Sequence, residues 1–410
     1  MAVGATTVSA LQNILKTKYD QKKLHSMTYP DCAWLGRVRK DTNFGGNNSR
    51  VTVRYGRPQG GSITFTKAQS NKTSSNDGAF LLTRARDYHV CSITAEAMLA
   101  SEGDENSILG GVKGEMEGCV LSFKRSISLQ LYRNGGGARG QISSSSTVAT
   151  DTITLAEPSD VVFFECEMVV QAASTDGTSG SLRNAGAETT IEAVDRSAGT
   201  LRTTEAAWNT TIAAIAAGDY LFRSGDFGAA AKGLTAWLPS TAPSGGESFF
   251  GQDRSLDSRM YGVYLAATAG TSKEDTLVDA STRLGREGGT PDAVYMHNLD
   301  RADIVKNLMG KATFEMTKSS DGTVGYKALI LEGDKGPLKV IADPNCPKGK
   351  FFMLQEDTWV LKSIKGLPHL IEEDGNKMVR ESTADNFEWR YRALWQLGCE
   401  APGWNLHGSF

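Results

Sequence analysis

The chain has 410 residues, 40% of them hydrophobic and 22% charged, with a formal net charge of −3 at pH 7. These proportions belong to a folded chain of two or three domains and exclude a disordered polyelectrolyte. No apolar run approaches the roughly eighteen residues of a membrane span, so no membrane partner is expected.

The near-neutral total hides an asymmetry. Residues 1–100 carry fourteen Lys/Arg against six Asp/Glu, and residues 151–226 carry four against twelve. Either the unevenness is incidental to solubility, or the basic arm and the acidic module face different surroundings. The basic residues lack the interleaved aromatics of a nucleic-acid reader, which argues against specific recognition.

Met1 to Lys16 shows no basic flank followed by an apolar core, so no secretory signal is expected. A short helical pattern runs from Ser9 to Tyr19, with Leu11, Ile14 and Leu15 on one face. An irregular stretch through Tyr29, Pro30 and Trp34 leads to the basic cluster Arg37, Arg39 and Lys40. Residues 1–49 hold too little apolar surface to fold alone and read as an arm lying on another surface.

Residues 50–94 change period. Val51, Val53 and Tyr55 alternate with polar residues, and after Arg57-Pro58-Gln59-Gly60-Gly61 so do Ile63 and Phe65. The pattern predicts a hairpin of these two runs, then a polar stretch Gln69–Gly78 and a third extended run Phe80–Thr94. Either the loop is an edge hairpin of a compact domain, or a partner covers strands that would otherwise invite aggregation.

Asp104 to Arg133 predicts a long helix. Leu109, Val112, Met116, Cys119, Phe123, Ile127 and Leu131 recur at steps of three or four, one helical face. At about 1.5 Å per residue, roughly thirty residues make a rod of about 45 Å. Asn134-Gly135-Gly136-Gly137 ends it, and Gln141–Thr150 reads as a Ser/Thr linker.

Residues 151–226 predict an all-β module, a small barrel or sandwich. Its strand-like runs are Ile153–Leu155, Met168–Ala172, Thr189–Val194, Thr200–Arg202 and Tyr220–Phe222, separated by turn clusters. From Phe227 the pattern is mixed. Ser272 with Asp275 predicts a capped helix through Leu284, Asp292–Met296 a buried strand, and Asp300–Met309 a helix. Ala328–Leu331 and Leu338–Ile341 predict a hairpin, and Phe351–Leu354 and Thr358–Leu361 continue its sheet. The last strand, Phe387–Trp395, turns Phe387, Trp389 and Tyr391 to the core, and Pro402 ends it.

Chemical motifs are missing. The six cysteines lie far apart without a Cys-x-x-Cys pair and read as buried thiols of a reducing cytoplasm. The five histidines are scattered, which leaves no zinc spacing. His297 near Asp300 sits at a strand–helix junction, where capping accounts for the acid. Gly135-Gly136-Gly137-Ala138-Arg139-Gly140 follows a helix where a phosphate loop would open one. No catalytic, cofactor or metal residue is predicted.

In this order (arm, extended loop, long helix, mixed domains) the chain resembles the major capsid protein of tailed bacteriophages, the Hong Kong 97-type fold. Pro291-Asp292-Ala293-Val294-Tyr295-Met296, Asp343-Pro344-Asn345-Cys346-Pro347-Lys348-Gly349 and Trp389-Arg390-Tyr391-Arg392 carry the match in the C-terminal third. The resemblance implies an α+β Hong Kong 97-like fold with an N-terminal arm (1–49), extended β loop (50–94), and spine helix with the start of a peripheral domain (95–140). It further implies an inserted acidic domain (151–226), and an axial domain with the remaining peripheral strands (227–410).

It also implies self-assembly into hexamers and pentamers of an icosahedral head enclosing double-stranded DNA, within a bacterial host's cytoplasm. Portal and decoration proteins are implied partners. No charged pro-segment precedes the arm, so a separate scaffolding protein is expected. Lys67 and Lys72 lie on the loop, but nothing marks a cross-linking partner for them. The expected intersubunit contacts are Arg37, Arg39, Arg54, Arg57 and Lys67, and reversing Arg54 and Arg57 to Glu is expected to weaken assembly. Two alternatives are a nanocompartment shell of the same fold and a carbohydrate-binding surface protein using Trp208 and Tyr220.

Overall fold

The computed structural model describes residues 5–6, 32–96, 105–309, 329–372 and 375–410. The expected helix at Ser9–Tyr19 lies outside these residues. Glu105–Tyr132 is one helix of 28 residues. Phe123, Ile127 and Leu131 of its predicted stripe are fully buried, and Met116 and Cys119 pack against the same core. The side chains of Leu109 and Val112 lie outside the described residues. The helix ends where Gly135 and Gly137 take φ of +92° and +90°, a region L side chains avoid. A Cβ on Gly136 would sit 2.1 Å from the Asp176 carbonyl oxygen, so packing as well as turn geometry requires glycine there.

The helix lies on a sheet whose centre is the long strand Asn386–Cys399. That strand runs antiparallel to Ala85–Thr94 over ten paired residues, from Asn386↔Thr94 to Trp395↔Ala85. On its other side it pairs with Trp359–Ser363, which pairs in parallel with Arg39–Asp41. Trp389, Tyr391, Ala393 and Trp395 face inward, as the alternation predicts. They share one core with Trp34, Phe80, Trp237 and Trp359.

A second sheet runs in the order Val263–Ala266, Leu406–Ser409, Lys350–Leu354, Ala293–Met296, Gly336–Ala342, Leu329–Gly333. Its central strands are buried on both faces. Ala293, Tyr295, Phe352 and Leu354 join the main core, while Val294, Met296, Phe351 and Met353 form another with Leu277, Leu284 and Ile304. The last three belong to helices Lys273–Arg286 and Asn298–Met309. The first of these helices opens as expected, with Ser272 Oγ accepting from the Asp275 N–H at 3.2 Å.

Six further strands form their own sheet in the order 138–141, 220–223, 169–173, 189–195, 200–203, 152–154. The two edges meet. Ser143 N–H donates to Thr154 O at 2.9 Å and Ala156 N–H to Gln141 O at 2.8 Å, closing a small barrel without free edges. Ile142, Ile153, Phe164, Val170, Trp208 and Leu221 fill it. Its first strand, Ala138–Gln141, precedes the boundary expected at residue 151.

Three expectations are corrected. Ser49–Gly56 pairs not with the Ile63–Thr66 run but with Asn76–Leu82, and Phe65–Ser70 is a short helix. The register sets Val51 against Phe80 and Ser49 against Leu82, which gives the hairpin a buried face that Ile63 and Phe65 do not supply. Thr358–Leu361 does not continue the hairpin's sheet: a single turn at Glu356–Thr358 sends the chain into the sheet of Asn386–Cys399. Asn386–Cys399 is not the last strand, because Leu406–Ser409 follows Pro402 and inserts between Val263–Ala266 and Lys350–Leu354.

The buried His407 and the partly buried His89 set an acid limit. His407 stacks on Phe352 at 4.7 Å with Nδ1 2.9 Å from the Leu238 carbonyl oxygen, and His89 stacks on Phe123 at 4.4 Å. Burial pushes each down to about 4. Unfolded, both titrate near 6.5, so the stability each confers is present above that pH and lost as pH falls towards 4. The loss is of the order of 3 kcal/mol for each. The urea midpoint is expected to drop steeply between pH 6.5 and 4.5; a flat profile would contradict the assignment.

Candidate assembly surfaces

Beyond its paired strands the hairpin projects a tip. Gln59 and Thr73 close it, with Thr73 N–H donating to Gln59 O at 2.9 Å and Gln59 N–H to Thr73 Oγ1 at 2.8 Å. The helix Phe65–Ser70 on this tip buries no residue. Ile63 is fully exposed and Phe65 is 77% exposed. Arg57, Lys67 and Lys72 surround them, and no acid occurs between Arg57 and Asn76. Full burial of one such apolar side chain is worth about 1.5–3 kcal/mol. Among the described residues, nothing covers the apolar side chains of this cationic tip.

The other expected contact residues are engaged within the chain. Arg37 makes a two-pronged bond to Glu356, at 2.7 and 2.9 Å, and Tyr295 OH donates to the same carboxylate. Burial alone would raise Glu356, yet the bonds from Arg37 and Tyr295 hold its carboxyl below the ordinary range. Arg39 reaches Glu400 at 2.5 Å, and Arg54 grips Asp77 across the hairpin at 2.7 and 3.1 Å. Arg57 and Lys67 remain on the tip.

A third constellation joins barrel, sheet and spine. Asp87, on Ala85–Thr94, is buried and accepts from Ser126 Oγ at 2.8 Å, Gln130 Nε2 at 3.0 Å and Arg223 Nη2 at 2.8 Å. Arg223, on the barrel strand Tyr220–Arg223, also bonds Asp226 at 2.9 Å and lies 2.9 Å from His89 Nε2. Arg139, buried and pushed down to about 10 by that burial, reaches Asp226 at 3.5 Å. Every charge here has a partner of opposite sign, so the cluster works as a rivet.

The family model described as "SU10 major capsid protein" matches residues 166–386, more than half of the chain. The chain belongs to the SU10 major capsid protein family. Solved structures agree on the fold. The capsid asymmetric unit of cyanophage A-1(L) aligns over 96% of this chain and 95% of that one, at 12% identity and a TM-score of 0.54. The capsid of a native GTA particle aligns over 100% and 99%, at 9% identity and a TM-score of 0.50. No curated protein matches the chain.

This major capsid protein of a phage head therefore has the Hong Kong 97-like fold that its sequence resembles. Among its described residues no three His, Cys, Asp or Glu converge as a metal set, and no helix is long and apolar enough to cross a membrane. Asp300 accepts from Lys273 Nζ at 2.7 Å and Gly349 N–H at 2.8 Å, so it serves the fold rather than His297. Trp208 is buried, with Nε1 donating to Asp151 O at 2.9 Å, and offers no platform for a sugar. The Asp87 cluster escaped the sequence reading, although a signal existed. On Ala85–Thr94 the inward positions hold Asp87, His89 and Cys91, while Tyr88 and Val90 face solvent. Such inverted alternation marks a strand whose buried face is polar.

Proposed function

We propose that this major capsid protein builds an icosahedral head from hexamers and pentamers, with the hairpin tip of one subunit lying on its neighbour. The uncovered Ile63 and Phe65 among Arg57, Lys67 and Lys72 carry this reading. Arg37, Arg39 and Arg54 act at the interface indirectly, by fixing the arm and the hairpin through Glu356, Glu400 and Asp77. The head encloses double-stranded DNA by sequence-independent electrostatics, after assembly on a separate scaffolding protein in a bacterial cytoplasm. Portal and decoration proteins complete the particle. The role is structural, without catalysis. The division into arm, extended loop, spine, inserted acidic domain and axial domain belongs to the same proposal, with the barrel turned to solvent by its charge.

The test is the pair Ile63→Ser and Phe65→Ser, alone and combined with Arg57→Glu, followed by sedimentation and electron microscopy. Fast-sedimenting shells are expected to fall at least tenfold for the triple variant, while circular dichroism stays unchanged because none of the three side chains is buried. Normal shells from the triple variant would overturn the assignment. Arg54→Glu is a poorer probe: it sets a carboxylate against Asp77 and disturbs the hairpin itself.

A further inference from the structure

Helix Lys273–Arg286 turns Leu277, Ala280, Ser281 and Leu284 inward. Its opposite face is bare: Asp275, Val278, Asp279, Thr282, Arg283 and Arg286 are all exposed, Val278 by 47%. Steps of three and four residues join them into one ridge along the helix. Acids occupy its first half and bases its second. At the ends this order complements the helix dipole, which gives Asp275 and Arg286 a reason within the chain. The middle has none. Val278 is an apolar side chain left in solvent. Asp279 and Arg283 are one turn apart, yet neither makes an ion pair among the described residues. Arg286 bonds Glu287, its neighbour in sequence, at 3.3 Å.

The ridge is symmetric about the helix midpoint between Ala280 and Ser281. Asp275 and Arg286 lie equally far from that point, as do Val278 and Arg283, and Asp279 and Thr282. Two such helices set antiparallel, face to face, bring Asp275 of each against Arg286 of the other. Val278 then meets the aliphatic stem of Arg283 in the second copy, whose guanidinium comes beside Asp279. Thr282, its hydroxyl turned back to the Val278 carbonyl oxygen at 3.1 Å, keeps the centre low enough for this approach. A parallel pairing would set acid on acid and base on base. The charge order therefore specifies both the occupant and its direction.

We propose that this ridge is a self-complementary contact through which two copies of the chain meet across a two-fold axis. A ridge of 14 residues is about 21 Å long, too small to hold a dimer by itself. It serves copies that other surfaces already bring together. In an icosahedral head two-fold axes lie between capsomers, so the ridge ties one capsomer to the next. That placement rests on the head architecture proposed above, whereas the pairing does not.

The experiment puts Asp275→Cys and Arg286→Cys together in a Cys166→Ser chain, which lacks the exposed native thiol. Shells and concentrated free chains are treated with a short bismaleimide and run on a denaturing gel. Within one helix eleven residues hold the two sites about 16 Å apart, beyond the reagent; across helices packed roughly 8–10 Å apart they face each other. Most copies in shells are expected to run as dimers with no trimer, because an isologous contact closes at two. Free chains should give the same dimer in lower yield. Either single-cysteine chain alone should give none, and mixing the two should restore it.

Monomers alone in both samples would overturn the contact, a ladder of trimers and beyond the two-fold axis, and dimers from one single-cysteine chain the register. Charge exchange gives a second reading. Asp275→Arg and Arg286→Asp, each alone, are expected to lower the dimer yield of free chains bearing Asp279→Cys and Thr282→Cys at least threefold. A mixture of the two should recover it, since opposite charges then face each other again. Equal loss in the mixture would overturn the pairing. The Ser272 cap uses the Asp275 N–H and survives the substitution. Free chains are read beside shells and the hairpin tip is untouched, so failure of this contact is distinguishable from a failure to assemble.

Discussion

Replacing Arg223 by Ala is expected to loosen the barrel from the spine helix by about 3 kcal/mol, the lower end of the range for removing one partner of a buried ion pair. Asp87, which accepts from this guanidinium at 2.8 Å, is 1% exposed in its side chain and has no solvent to replace the lost charge. Ser126 and Gln130 still donate to it, which keeps the loss from the upper end. His89 and Asp226 lose the same partner, so the damage extends to Arg139 on the adjoining barrel strand. Amide hydrogen exchange reads this directly: about 3 kcal/mol is more than a hundredfold in the opening equilibrium, and the strand Tyr220–Arg223 should exchange faster by that factor. Arg223→Lys keeps the charge without the fork and is expected to give roughly half the loss. Unchanged exchange at this strand in Arg223→Ala would show that the barrel's own core, not the rivet, holds its seat.

Asp343→Asn is expected to lower stability by about 3 kcal/mol although it removes no volume. Asp343 is fully buried and collects four bonds: Oδ2 accepts from Trp34 N–H at 3.2 Å and Tyr132 OH at 3.0 Å, and Oδ1 accepts from the backbone and side-chain nitrogens of Asn345, both at 2.9 Å. An amide has one accepting oxygen, so its NH2 faces a fixed backbone donor whichever way it turns, Trp34 N–H on one side or Asn345 N–H on the other, while the Tyr132 hydroxyl can rotate to accept. The substitution strikes where the first described helix, Ala33–Arg37, meets the end of the spine and the loop leaving Gly336–Ala342. The expected outcome is a lower urea midpoint by circular dichroism, with faster amide exchange at the Trp34 N–H that Asp343 holds, and an unchanged midpoint would refute the four-bond account.

Both sites lay beyond the sequence reading for one reason. Asp87 and Arg223 are 136 residues apart and Trp34 and Asp343 are 309 apart. A charge pattern along the chain does not say which acid a base will meet. The same limit explains why Arg37, Arg39 and Arg54, read as free for a neighbour, turned out to be held by Glu356, Glu400 and Asp77.

What the sequence determined by itself is what short-range physics dictates. The spine helix follows from an apolar residue every three or four positions, its end from glycines, which take positive φ most readily, and the Ser272 cap from an oxygen three residues before an unpaired N–H. The five strand runs of the barrel follow from alternation between turn clusters.

What the tertiary structure alone decided is partnership. Asn76–Leu82 rather than Ile63–Thr66 became the second hairpin strand because the buried face needed Phe80 and Leu82 opposite Val51 and Ser49. Trp359–Ser363 left one sheet for another because both share the core around Trp34 and Trp237. Leu406–Ser409, four residues with a glycine among them, became a strand because two others offered it unpaired edges. Strand pairing and ion pairing are chosen by burial and unmet hydrogen bonds across space, and neither leaves a periodic trace in the chain.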